Sequence, residues 1–273
     1  MIRNRKYIVE GIDETGTPDM KYYAFDWDDN IMTMPTKIIL KDEDGKEVGM
    51  STEDFAEYRT QIGNEPFDYE GHTIVNFAED PFRYFGVKGD KQFVVDSMIA
   101  KPGPAWPDFV EAINNGSILS IITARGHTPN ILREGMYNLI ASNKNGLNSK
   151  ELVKNLKKYR DLDDGENTST KELINDYLDL CKFYPVSYGE GSATNPEEGK
   201  IKAMTEFIQH IKSISEHINK KAYLKNKISN NFKLPSIGFS DDDIRNVEKM
   251  KSHFEDEPML KTYSTAGGVK KLY

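Results

Sequence analysis

Tyr22-Tyr23-Ala24-Phe25-Asp26-Trp27-Asp28 decides the fold: a short apolar run ends in two carboxylates separated by one residue. Such a run reads as a strand buried on both faces, the kind found in parallel sheets covered by helices. Working outward, the pattern recurs. Ile118–Ile122 ends in Thr123, Phe183–Tyr188 forms a third run, and Ile237–Phe239 precedes Asp241-Asp242-Asp243. Leu260–Ser264 suits a fifth strand. Helical patterns separate these runs. Pro107–Asn114 is stopped by Asn115-Gly116, and Thr128-Pro129 opens a helix to about Ala141. Asn195-Pro196-Glu197-Glu198 opens another to about His217, with carboxylates in the positive first turn, and Ile244–Phe254 follows the last acidic run. This alternation predicts an α/β protein with a mainly parallel sheet.

Two intervals interrupt the alternation. Lys37–Leu40 and Lys46–Met50 flank Asp42-Glu43-Asp44-Gly45, whose Asp-Gly step is a turn signal, and predict a β-hairpin. Ser51-Thr52-Glu53-Asp54 is a capping start for a helix over Asp54–Arg59. Residues 61–100 are rich in aromatics, Gly and Pro, and their periodicity does not decide between helix and strand. Residues 142–180 look helical and charged, with a turn around Asp163-Asp164-Gly165. The expected organisation is a core of residues 1–31 and 101–265, carrying a cap-like insert at 32–100 and a helical insert at about 142–180. Residues 266–273 are expected as a loose tail.

A chain of 273 residues with 37% hydrophobic and 29% charged residues has the composition of a globular protein with a core, which argues against intrinsic disorder. Its net charge of −8 argues against a globally basic nucleic-acid binder. Lysines nevertheless gather in Asn143–Arg160 and Lys212–Lys233, as solvated helix faces or as contacts for a phosphate-rich partner. Cys181 is the one cysteine, so no intramolecular disulfide can form, which fits a reducing compartment. The first residues lack the apolar run of a signal peptide, and no stretch approaches the ~20 apolar residues of a membrane helix. The expectation is a cytoplasmic protein with no membrane partner and no dedicated protein partner. Histidine and cysteine spacing excludes the common zinc motifs, and Gly199-Lys200-Ile201 lacks the Ser or Thr of a P-loop.

Chemistry gathers at the strand ends. In open parallel sheets, ligands bind beyond the carboxyl ends of the strands. If the strands lie side by side, Asp26, Asp28, Thr123, Asp241 and Asp242 converge there. Asp241–Asp243 read alone is equally an acidic helix N-terminus.

Four segments taken in order resemble the haloacid-dehalogenase (HAD) superfamily. Phe25-Asp26-Trp27-Asp28 resembles its first motif, and Ser120-Ile121-Ile122-Thr123-Ala124-Arg125-Gly126 its second. Lys200, near a helix start, resembles the third, and Ile237-Gly238-Phe239-Ser240-Asp241-Asp242 the fourth. The resemblance spans about residues 21–265. It implies a HAD-like Rossmannoid three-layer core with a small cap insert, and a Mg2+-dependent phosphatase. Asp29-Asn30 departs from the family's Gly-Thr at that point, which implies that the loop is held differently.

The resemblance implies a role for each residue. Asp26 is the nucleophile that forms an aspartyl phosphate, splitting one displacement into two. Asp28, on the same side of the strand, is the acid/base and lends a backbone carbonyl to the metal. Thr123 donates to a phosphoryl oxygen and Lys200 offsets its charge, with Lys202 a competing candidate. Thr123, Ala124, Arg125 and Lys200 form the substrate-binding set. Asp26, Asp28, Asp241 and Asp242 form the metal set, whose oxygen donors suit Mg2+. Arg125 and His127 read equally as substrate contacts or as surface residues. The expected substrate is a phosphorylated small molecule, such as a nucleotide, or a nucleic-acid end. The competing expectation is a catalytically silent HAD-like binding or structural protein.

Overall fold

The computed structural model describes residues 21–160, 168–189, 195–224 and 235–273. The turn expected at Asp163-Asp164-Gly165 and residues 225–233 of the second lysine-rich stretch lie outside these. The elements begin with β1 (Lys21–Phe25), β2 (Met32–Thr33), β3 (Ile38–Asp42), β4 (Glu47–Met50), α1 (Thr52–Tyr58), β5 (Phe67–Tyr69) and β6 (His72–Phe77). They continue with α2 (Asp90–Ile99), β7 (Lys101–Pro102), α3 (Trp106–Asn115), β8 (Leu119–Thr123), α4 (Pro129–Ala141), α5 (Ser149–Arg160) and α6 (Thr170–Leu178). The last are β9 (Lys182–Pro185), α7 (Pro196–Leu224), β10 (Ser236–Asp241), α8 (Ile244–His253), β11 (Leu260–Ser264) and β12 (Lys271–Leu272).

The protein is a mixed α/β structure whose main sheet has six strands in the order β12-β11-β10-β1-β8-β9. All neighbours are parallel except the edge pair β11–β12. Alternating side chains bury the two faces. Phe25, Leu119 and Ile121 pack with Phe109, Leu139, Leu156 and Tyr177 of α3–α6. Tyr22, Ala24, Ile122, Ile237 and Phe239 pack with Phe207 and Ile211 of α7 and Met250 of α8. Helices thus cover both faces, which is why β1 and β8 read as nearly continuous apolar runs. From β1 the chain steps outward to β8 and β9, then returns to β10 on the other side of β1. The order therefore reverses between β1 and β10, the place where open sheets bind ligands.

Residues 32–100, expected as one insert, divide in the structure. Residues 38–77 build a four-stranded antiparallel sheet, β4-β3-β6-β5, with its own core of Ile38, Leu40, Val48, Met50, Ile62 and Ile74. The β3–β4 hairpin turns at Gly45, whose φ of +78° favours glycine, and Asp42 accepts the N–H groups of Asp44 and Lys46. Helix α2 instead packs in the main core, with Phe93 against Gly135 of α4. β2 and β7 pair antiparallel, Met32 with Pro102 and Thr33 with Lys101, so the insert leaves and re-enters the core at one place. Helices α5 and α6, expected as an insert that could narrow the entrance, bury Leu152, Leu156, Ile174 and Leu178 in the main core. The tail, expected to be loose, forms β12, and Tyr273 Oη donates to Glu248 at 2.7 Å. Lys270 lies over the Tyr263 ring of β11 and Lys251 of α8 over the Tyr273 ring, partners that a local reading cannot supply.

Candidate functional site

Three of the predicted strand ends, at Asp26, Thr123 and Asp241, meet at one cavity of about 530 Å³, lined by Asp26, Asp28, Asp29, Thr123, Ala124, Arg125, Lys200, Asp241 and Asp242. Strand alternation sorts the first motif. Trp27 is fully buried and packs on Phe93 at 5.2 Å, while Asp26 and Asp28 on either side face the cavity.

Lys200 is the hub of the floor. Asn195 starts α7, its Oδ1 accepting the Glu197 N–H at 2.9 Å, and Lys200 follows in the first turns. Its Nζ donates to Asp26 Oδ1 at 2.8 Å and to Asp241 Oδ2 at 2.7 Å, with all three side chains buried. Lys202 is exposed, so burial separates the two lysine candidates. The other oxygen of Asp241 accepts from the Asp243 N–H and from Asn246 Nδ2, both at 3.0 Å. Asp243 caps α8 through the Arg245 N–H and is paired with Arg245. The acidic run therefore serves both readings: Asp243 starts the helix and Asp241 faces the cavity.

One lysine does not balance this floor. Burial is the largest cause that pushes Asp26 up to about 8; Lys200 opposes it, while Asp241 and Asp28 add to it. Asp242 is pushed well up by burial and then by the charges of Asp241 and Asp26. Burial also raises Asp29 to about 6. Carboxylate oxygens of Asp26, Asp241 and Asp242 lie within 4.8 Å of one another. Crowded hard donors with an excess of negative charge fit a divalent cation such as Mg2+. The Asp28 backbone carbonyl accepts the Asn30 N–H at 2.6 Å and keeps a second lone pair.

The departure at Asp29-Asn30 has a structural explanation. Asp29 adopts a left-handed φ of +52°, and its N–H reaches the Met32 carbonyl at 2.8 Å. Asn30 is fully buried. Its amide donates to the carbonyls of Asp26 and Ser240 and to Ser240 Oγ, and its carbonyl accepts Thr265 Oγ1 at 2.8 Å. Asn30 thereby ties the loop after Asp26 to β10 and to the end of β11.

Arg125 and His127 are buried rather than surface residues, and Arg125 lines the cavity. Arg125 is 2% exposed and donates from Nε and Nη2 to both oxygens of Asp28, at 2.8 and 2.7 Å. Nη2 also reaches Thr36 Oγ1 at 3.2 Å, and the guanidinium lies 4.6 Å from the Phe85 ring centre. Nη1 faces His127 Nε2 at 3.2 Å, while His127 Nδ1 meets Asp90 Oδ1 at 2.9 Å. Because guanidinium only donates, Nε2 accepts and Nδ1 carries the proton, so the imidazole is neutral. Burial, then the Arg125 charge, lowers its pKa accordingly. This network of Asp28, Thr36, Asp90 and Asp96 escaped the sequence reading because its members are up to 97 residues apart.

Thr123 is buried at the end of β8, and its Oγ1 accepts the Arg125 N–H at 3.3 Å. Gly126 N–H donates to the Phe85 carbonyl at 2.7 Å, joining this loop to the chain leaving the insert. A side chain at Gly126 would meet the Ser187 carbonyl at 2.9 Å, so only glycine fits without movement. Ile38, Phe55, Phe82 and Phe85 also line the cavity, together with Arg59. Among the described residues, no helix is long and apolar enough to cross a membrane. No protein-family model matches the chain, and neither a curated protein nor a solved structure matches it.

Proposed function

We propose that the chain is a HAD-like, Mg2+-dependent phosphomonoester hydrolase working through an aspartyl phosphate on Asp26. The observation that carries this reading is the convergence of Asp26, Lys200, Asp241 and Asp242 at the point where the strand order reverses. Phosphoryl transfer needs positioning and charge neutralisation, and this floor offers a buried nucleophile, a buried cation and hard oxygen donors. A magnesium ion held by Asp26, Asp241 and Asp242, with the Asp28 carbonyl, would supply the charge that offsets the phosphoryl oxygens.

In this reading an Asp26 oxygen attacks phosphorus and the P–O bond to the leaving alcohol breaks. Asp28 passes a proton to the leaving oxygen. Water then attacks phosphorus, Asp28 takes its proton, and the Asp26–phosphorus bond breaks to release phosphate. Arg125 fixes the plane of the Asp28 carboxylate, while each oxygen keeps a lone pair for that proton. Thr123 and Lys200 hold phosphoryl oxygens against the floor. The substrate is a phosphorylated small molecule or a nucleic-acid end.

The same Asp28–Arg125 pairing favours the second reading, a silent HAD-like binding protein, since it occupies both oxygens of the acid/base. Phosphate release from an aryl phosphate and from a panel of natural monoesters separates the two. Activity that disappears in Asp26→Asn and on chelation supports the hydrolase. Absence of release from every ester, together with absence of Mg2+ binding, overturns it.

A further inference from the structure

The aromatic part of the cavity lining plays no part in phosphoryl transfer in this reading, and its chemistry is of a different kind. Phe55, on α1, and Phe82 and Phe85, beyond β6, form one cluster with ring centres 5.5 Å (Phe55–Phe82) and 6.0 Å (Phe82–Phe85) apart, both edge-on. The Phe85 ring carries the Arg125 guanidinium. Phe82 lines the cavity and is 42% exposed, so part of a large aromatic side chain is left uncovered there. Burying it would be favourable for any planar apolar group that entered. Arg59 follows α1 at the same wall and approaches Glu197 of α7 at 3.9 Å, linking the insert to the core at the cavity. The cavity of about 530 Å³ is much larger than a phosphoryl group requires. It falls within the range of roughly 300–1,000 Å³ that holds drug-sized ligands.

Resting on the hydrolase reading, we propose that the substrate is a nucleoside 5′-monophosphate whose base stacks on Phe82 while its phosphate sits at Asp26. Every base offers a π-face to an aromatic ring, and its polar edge suits the planar donor array of Arg59. The ribose links the base at Phe82 to the phosphate at Asp26. Phe55, Phe77 and Phe85 pack around Phe82 and hold its ring in place for the base. This assigns Phe82 to specificity, and it selects the mononucleotide over sugar phosphates that share its phosphate but lack a ring.

The test compares Mg2+-dependent phosphate release from adenosine 5′-monophosphate, ribose 5-phosphate and a 5′-phosphorylated oligonucleotide. The same three ligands are titrated calorimetrically into Asp26→Asn with Mg2+. The expected result is a kcat/KM for the nucleotide roughly 5- to 150-fold above that for ribose 5-phosphate, the range contributed by stacking one base. Phe82→Ala should move this ratio towards one, chiefly through KM, and Phe82→Tyr should restore it. Equal kcat/KM for nucleotide and ribose 5-phosphate, with release still dependent on Asp26, overturns the nucleotide assignment and leaves the hydrolase standing. A preference for the oligonucleotide over the mononucleotide likewise overturns it. Selective nucleotide binding without release from any ester supports the base site while overturning hydrolysis. Neither selective binding nor release overturns both.

Discussion

Arg125→Met removes one partner of a buried, two-pronged ion pair and leaves Asp28 with both oxygens unpaired. Arg125 is almost fully buried, the Asp28 side chain is 15% exposed, and Thr36 and His127 lose a donor at the same time. Breaking one side of such a pair costs about 3–5 kcal/mol. In a protein of this size each kcal/mol shifts Tm by roughly 2–4 °C, so a fall of roughly 6–20 °C is expected. Arg125→Lys keeps the charge but loses the fork, and should fall between the variant and the wild type. Thermal unfolding followed by circular dichroism at pH 7 measures this, with 50 and 500 mM salt compared. A buried pair is screened only weakly, so the difference should persist at high salt. A Tm within 2 °C of wild type for Arg125→Met would refute the assignment of Arg125 as the buried tie between Asp28 and the base of the insert.

Asn30→Ala strips partners from the Asp26 and Ser240 carbonyls and from Thr265, and should cost about 2–4 kcal/mol in denaturant unfolding; an unchanged midpoint would contradict the role given to Asn30. Mg2+ at 100 times its Kd should stabilise the wild type by about 2.7 kcal/mol, a rise of roughly 5–11 °C in Tm. Asp241→Asn should abolish most of that rise, and an equal rise in the variant would place the ion elsewhere. His127 has a folded pKa held below its ordinary value of about 6.5 by burial and Arg125, with Asp90 and Asp28 opposing. Its contribution to stability is therefore present above pH 6.5 and lost as pH falls towards the folded value. The Tm margin of wild type over His127→Gln should shrink between pH 8 and pH 5, and a margin that grows instead would mean that a charged imidazole pairs with Asp90.

The carboxylates and Thr123 of the cavity were legible because they lie at strand ends, and strands announce themselves by local apolar runs. Asp26, Thr123 and Asp241 needed only the rule that parallel strands present their carboxyl ends together. Lys200 was distinguishable from Lys202 only by burial, which depends on how α7 rotates against β1 and β10. Arg125 and His127 were illegible for a related reason. A charged residue after a strand looks solvent-bound unless its partners are known, and Asp28, Thr36 and Asp90 are distant in sequence. The β5–β6 hairpin was missed because its turn is Glu70-Gly71, with φ of +52° and +81°, where Asn-Gly or Asp-Gly is the usual signal. The lysine-rich helix α5 carries its apolar stripe into the main core, so its charge pattern spoke only for its outer face.

The hydrogen bond from Gly126 to Phe85 joins the loop of Thr123 directly to the aromatic wall, and the Arg125 guanidinium lies against the same Phe85 ring. With β2 and β7 pairing at the base of the insert, the two walls of the cavity are registered to each other by backbone rather than by side chains alone. The space between them works as a caliper set by the chain. In the nucleotide reading, molecules are sorted by the length between an anionic end and a flat end, and a change of one residue between Phe82 and Phe85 would reset that length without touching a carboxylate.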